Sequence, residues 1–273
     1  MSYVPAIPFN GYAGWTFLNR TMASQTATMN ATSQNKRDED YFRANIGKID
    51  TAEQLVNDRR LLRVALGAFG LDNDINNKFF IQKVLSDGTL KTDALANRLA
   101  DKQYQKLSSA FGFGDFSVPR NKISDFADKI ITQYRTRQFE LAVGTQNSDF
   151  RIALNLQRDL PELAAKANSS ENAKWLTIMG NKPLRTAFQT ALGLPTSTAT
   201  LDLDLQLSVF KSRAKAQFGS DSVSQFADPA AMDKLTKRFL LRSEMDAFNA
   251  SGSGNTALTL MQQSITASRN QRF

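Results

Sequence analysis

The side chains of this chain that could do chemistry are oxygen and nitrogen donors with no histidine or cysteine to join them. Asp72-Asn73-Asp74-Ile75-Asn76 places oxygen ligands at alternate positions, as a calcium loop does at its start. The sixth place, where such a loop turns on glycine, is Asn77, and the closing glutamate is replaced by Lys83. The expectation is an interhelical turn capped by Asn and Asp. Gly112-Phe113-Gly114 is a lone G-x-G with neither a preceding strand nor a Walker lysine, so it reads as no phosphate loop. Asp202 and Asp204 stand two apart without a third carboxylate nearby, and read as helix-start acids favoured by the dipole. Imidazole bases, thiolate nucleophiles, Cys/His zinc sites and disulfides are all excluded by composition. No catalytic, cofactor or metal residues are assigned, and the expected role is non-enzymatic.

Lysine and arginine number 34 against 26 acids, a net charge of +8 and a pI near 9.7. Such a balance favours solubility and weak attraction to anionic surfaces, and signals nucleic acid only where the charge clusters on one face. The candidates for such a face follow a repeated pentapeptide, S-x-F-A-D, at Ser124–Asp128 and Ser224–Asp228. Arg135 and Arg137 follow the first copy, Lys237 and Arg238 the second, and a phosphate or an acidic partner is the ligand they would take. The structural reading of the same motif is local. Asp128 and Asp228 cap helices, the second with Pro229 at the first helical position. Phe126 and Phe226 staple back onto the first turn. Ile130, Tyr134 and Leu141 then face one core, and Met232, Leu235 and Phe239 another, with the cations in solvent.

The motif belongs to a longer repeat. Leu62-Arg63 and Leu184-Arg185 each open an apolar stretch ending in Gly-Leu, aligned if one residue is inserted. Each half then carries a basic helix ending in an aromatic-glycine pair and an acid, Asp115 or Asp221. Half A has additional residues between Asp72 and Leu99.

The elements that must position these residues read as helices throughout. Thr51 with Gln54 forms a capping box, Gly70 stops the helix that starts near Leu61, and Trp175 lies in a short apolar helix closed by Gly180. Pro161 is expected at the first turn of a new helix, and LDLDLQLSV from Leu201, the one alternating run, reads as helix from its continuation. The fold class is therefore all-α: a multi-helix body built from two related halves, 39–148 and 149–248. It is flanked by extended or weakly helical terminal segments, 1–38 and 249–273. In the first, Leu18, Met22 and Met29 make a thin apolar stripe beside Trp15, and Lys36–Asp40 reads as the junction to the body. In the second, ASGSGN from Ala250 reads as a linker before the stripe Leu258, Met261 and Ile265. Both stripes suit pairing with a partner helix, or self-association. No segment is long and apolar enough to span a membrane, and the first twenty residues lack the basic start and cleavage site of a signal peptide.

Tyr41-Phe42, Asn45-Ile46, Ile49, Thr51, Leu55, Asp58, Arg60-Leu61-Leu62 and Leu71 together resemble the opening block of an alphaproteobacterial family, domain-of-unknown-function family 1217. The resemblance extends over the body, about residues 41–248. It implies an all-helical fold and no known catalytic residue. It also implies a flagellar setting, because members are often encoded beside flagellar genes. The expected function is then a structural or interaction protein associated with the bacterial flagellum: an accessory, assembly or axial-like component. Its partners are expected to be other flagellar or secretion-system proteins, met through the terminal helices. Location at the flagellum or in the cytoplasm, with signal-peptide-independent export, is consistent with this. The alternative is a basic helical module binding nucleic acid or another polyanion.

Overall fold

The structure is a computed structural model that describes residues 3–270, with side chains for all of these except 34 and 251–270. Among the described residues every regular element is helical. Contacts divide the chain into two compact units, 1–8 with 16–151 and 9–15 with 152–273. Helix α1 (Gly11–Asn30) contributes to both, as does α9 (Ser148–Ala165).

Half A continues with α2 (Ser33–Asn45), α3 (Ala52–Asn57), α4 (Arg59–Phe69), α5 (Lys78–Asp87), α6 (Leu95–Arg98), α7 (Gln103–Phe111) and α8 (Phe126–Gly144). Half B contains α10 (Glu171–Gly180), α11 (Lys182–Leu192), α12 (Leu203–Phe218) and α13 (Pro229–Asn270). The centre of half A is α4 lying along α8, and of half B α11 lying along α13. Helix α4 buries Leu61, Leu62, Val64, Ala65 and Leu66 completely, a face wide enough to be surrounded by α2, α3, α7 and α8. Its start is capped by Asp58, whose carboxylate accepts from the Arg60 and Leu61 N–H groups at 2.9 and 3.0 Å.

The repeat is real in three dimensions but its register differs from the expected one. Asp58 and Asn181 cap α4 and α11, and Gly70 and Gly193 close them at φ +73° and +66°, so the two helices align without an inserted residue. Leu61 thus corresponds to Leu184, and Leu71 to Leu194. The Leu-Arg pairs had suggested a gap only because leucine recurs at 61 and 62. Helices α5 and α6 fill the additional residues of half A.

S-x-F-A-D also behaves differently in its two copies. Both phenylalanines are buried and meet the aromatic residue before a left-handed glycine edge-on, Phe126 against Phe111 at 5.0 Å and Phe226 against Phe218 at 5.4 Å. Beyond them the copies part. In half B, Asp228 is the expected cap, accepting from the Ala231 N–H at 3.2 Å ahead of Pro229. In half A the helix begins earlier, at Phe126, so Asp128 lies within its first turn and cannot cap it. Asp128 instead accepts from Arg43 at 2.8 Å. Half B carries a 3-10 turn over Val223–Ala227 and starts its α-helix at Pro229, three motif positions later than half A, whose α-helix starts at Phe126.

Four further expectations are corrected. Residues 3–30 are part of the folded body. The Gln25 side chain, 8% exposed, accepts from the Ala6 N–H at 2.7 Å and donates to the Ala6 carbonyl at 3.1 Å, fastening the extended start to α1 as one strand fastens another. The cluster Lys36–Asp40 is no junction: it lies inside α2, with Asp38 and Glu39 buried. Pro161 is inside α9 rather than at a helix start: it removes one N–H donor, and the helix is held across it by the buried Leu156, Leu160 and Ala164. The linker expected from Ala250 has helical backbone, since α13 runs on to Asn270 and its Gly252 and Gly254 each weaken a helix by only about 1 kcal/mol.

Candidate functional site

Three arrangements of polar side chains could carry chemistry. The first joins α10 to the 3-10 turn that holds Phe226. Lys174, 4% exposed, donates to the Ala164 carbonyl at 2.9 Å and to Ser224 Oγ at 2.6 Å, and stands 3.2 Å from Glu171 Oε1. Ser224 Oγ donates in turn to Glu171 Oε1 at 2.6 Å, while Glu171 Oε2 accepts from Ser222 Oγ at 2.8 Å and the Val223 N–H at 2.5 Å. Partial burial pushes the Glu171 carboxyl up, but the hydrogen bonds from Ser224, Ser222, Lys174 and Val223 outweigh it and hold it at about 2. A serine 2.6 Å from a lysine invites a nucleophilic reading. That reading fails on proton positions: the serine proton points to the carboxylate, and the lysine donates from every N–H it has. The group is a latch that fixes the turn against α10. Half A achieves the same end with Asn121, whose amide donates to the Ile46 and Ile49 carbonyls at 2.7 Å each.

The second is the acid pair of α2. Asp38 faces Arg60 and Arg63 at 3.7 and 3.4 Å, and Glu39 holds Arg135 of α8 through two parallel contacts, the Nε one at 2.8 Å. This leaves Arg135 poorly placed for a phosphate. The other cations of the polyanion alternative are engaged as well. Arg137 approaches Gln103 Oε1 at 3.4 Å, Lys237 lies 5.0 Å over the Tyr12 ring, and Arg238 Nε donates to the Ala191 carbonyl at 2.7 Å. Arg135 and Arg137 belong to one unit, Lys237 and Arg238 to the other.

The acids of the apparent calcium loop are latches too. Asp72 accepts from Gln138 at 2.7 Å, and Asp74 from the Tyr104 hydroxyl at 2.6 Å and from Asn77 at 2.7 Å. Gly112 is the left-handed end of α7, and a side chain on Gly114 would strike the backbone of Ser86–Gly88. Glycine is there for close packing of two turns, closed by Asp115 accepting from the Thr89 and Leu90 N–H groups at 2.6 and 3.0 Å.

The third arrangement is an apolar surface. Of the residues expected to meet a partner, Trp15, Leu18 and Met29 are 1%, 0% and 4% exposed, so this chain itself covers them, and only Met22 is half-buried. Leu258, Met261 and Ile265 fall outside the residues whose side chains are described. What does face solvent is Leu241, Met245 and Phe248 on α13, 42%, 60% and 77% exposed. Steps of four and three place them on one line of the helix, just past Leu240, where α13's buried face ends. Phe79 on α5 is more exposed still, but the next residues on its face are Gln82 and Lys83, so no line continues it. The α13 line escaped the sequence reading because Leu240 and Leu241 are adjacent, and composition cannot tell which of the two faces inward.

No helix among the described residues is long and apolar enough to cross a membrane. No curated protein matches the chain. A protein from Agrobacterium tumefaciens, known from its X-ray crystal structure, is similar at a TM-score of 0.69 and 23% identity, over 89% of this chain and 99% of that one, a likeness of fold. A family model described as a protein of unknown function, DUF1217, matches residues 68–232, from the end of α4 into the first turn of α13 and so a narrower span than residues 41–248. With more than half of its length matched, the chain belongs to the DUF1217 family.

Proposed function

We propose that this chain is a non-enzymatic structural or interaction protein of the bacterial flagellar system, and that a partner helix docks on the Leu241–Met245–Phe248 line of α13. The exposed line is the observation that carries the reading. An apolar row at helical spacing is the pattern a partner helix reads, one anchor per turn. Burying each of the three side chains contributes about 1.5–3 kcal/mol at most. Association itself costs about 4–15 kcal/mol, so three anchors alone hold a partner weakly. The flagellar setting rests on the family's gene neighbourhoods, and absence of histidine and cysteine supports a non-enzymatic role.

The test is a strain carrying Leu241→Ser, Met245→Ser and Phe248→Ser together. Motility is expected to fall while the purified variant melts within a degree or two of the wild type, because exposed positions carry little stability. Normal swimming by a strain lacking the whole gene refutes the flagellar assignment. Duplex-DNA binding that falls steeply with the logarithm of salt concentration supports the polyanion reading instead.

A further inference from the structure

Half B contains a guanidinium that its own fold does not satisfy. Arg242 of α13 lies flat against Gly193, the left-handed end of α11, where an added Cβ would stand 2.5 Å from Nη2 and 2.8 Å from Cζ. The guanidinium is thus held in place by a backbone only glycine can supply. Yet its Nε is buried with no hydrogen-bond partner, and so is the Nε2 of Gln189, one turn before the end of α11. Both residues line a groove of about 480 Å³ together with Thr190, Thr196 and the exposed Asp246. One turn earlier on α13, Arg238 is spent on the Ala191 carbonyl. Neither arginine forms an ion pair among the described residues. A buried N–H without a partner is destabilising, and more so when it carries charge, so two such donors on residues that line one groove call for an acceptor.

Half A shows which acceptor lies near this place. There Arg137, the counterpart of Lys237 in the repeat, stands over Gly70, 3.4 Å from where a Cβ would be, and approaches Gln103 Oε1 at 3.4 Å. The neighbouring Gln138 donates at 2.7 Å to the carboxylate of Asp72, the residue after Leu71. The residue after Leu194 in half B is Pro195, which brings no acceptor on its side chain. We propose that the groove between α11 and α13 of half B binds a carboxylate from outside the chain, taken by Arg242 and Gln189. The carboxylate comes either from an acidic side chain of a partner peptide or from a small free acid. This site does not rest on the apolar line above, and its test reads carboxylate binding rather than partner capture or motility.

The experiment compares thermal melting of the full chain in sodium succinate, sodium phosphate and sodium chloride at one ionic strength, followed by calorimetric titration with succinate and with a glutamate-rich peptide. Succinate is expected to raise the midpoint above that in chloride and above that in phosphate. Gln189→Met and Arg242→Gln are each expected to weaken binding about tenfold, the value of one charge-assisted hydrogen bond, with Arg242→Lys retaining part of it. Circular dichroism confirms that each variant is folded, and Gln189→Met serves where Arg242→Gln does not fold. Tighter binding of the peptide than of succinate assigns the carboxylate to a protein partner, and the reverse order assigns it to a free acid. The proposal is overturned by equal midpoints in succinate and chloride together with no peptide binding, by a larger rise in phosphate, or by undiminished binding in folded Gln189→Met and Arg242→Gln.

Discussion

Glu171 and Glu39 set two different limits on stability. The Glu171 carboxyl is held at about 2 in the folded chain against an ordinary value of 4.5, so the folded state binds its proton less readily than the unfolded one. Its contribution is complete above about pH 4.5 and is lost as the pH falls towards 2. Urea unfolding followed across that window is expected to show a falling midpoint, and Glu171→Gln is expected to flatten the fall while lowering the midpoint at neutral pH. An unchanged acid limb in the variant places the titration elsewhere. Glu39 is 2% exposed and depends on Arg135 of α8. Arg135→Ala strands that charge, and unfolding is expected to become easier by about 3 kcal/mol. Replacing both partners with apolar residues, Glu39→Leu with Arg135→Met, is expected to cost less than Arg135→Ala alone. If instead the double change costs more, the pair is worth more than its desolvation penalty.

At the scale of elements, one pentapeptide starts two helices in two ways. Asp228→Ala removes a cap and is expected to cost about 1 kcal/mol. Asp128→Ala removes only an exposed contact with Arg43 (the carboxylate is 69% exposed), and a change within about 0.5 kcal/mol is expected. Equal losses in a denaturant titration contradict the three-residue offset between the two helix starts. The left-handed helix ends test the aligned register in the same way. Gly70→Ala and Gly193→Ala both force a Cβ into φ near +70° and are expected to destabilise by about 1 kcal/mol or more. Gly193→Ala should be the worse of the two, because it also meets the Arg242 guanidinium, 2.5 Å away against 3.4 Å at Gly70.

At the scale of the whole molecule the chain is one helical plan written twice and then put to different uses. Half A adds α5 and α6 and pairs Asp72 with Gln138 and Glu39 with Arg135. Half B keeps the shorter form, extends its last helix to Asn270, and leaves an apolar line and an unsatisfied arginine on that helix. The two features separate by measurement. The triple serine change at 241, 245 and 248 is expected to leave the succinate-dependent rise in melting midpoint intact, while Arg242→Gln reduces it with the apolar line unchanged. Loss of the succinate response in the triple variant makes them one site.

The sequence by itself determined the helical class, the duplication and the absence of histidine- or thiol-dependent chemistry, because these depend on residue types and on local spacing. Gly70 had to end a helix and Asp228, with Pro229 after it, had to start one, since the conformations of three or four neighbouring residues decide both. Which residues are covered was decided only by tertiary structure. The stripe of Leu18 and Met29 has the spacing of a partner-binding helix, and nothing local reveals that Gln25 fastens the chain's own start beside it. Asp38 and Glu39 look like a solvated charge cluster until Arg63 and Arg135 arrive from 25 and 96 residues away. The same holds for the groove of half B: Arg242 is one more cation on a basic helix until Gly193 holds it and Pro195 stands where half A has an acid. Burial and pairing between distant segments depend on which helices pack together, and that information lies in the fold rather than in any window of the sequence.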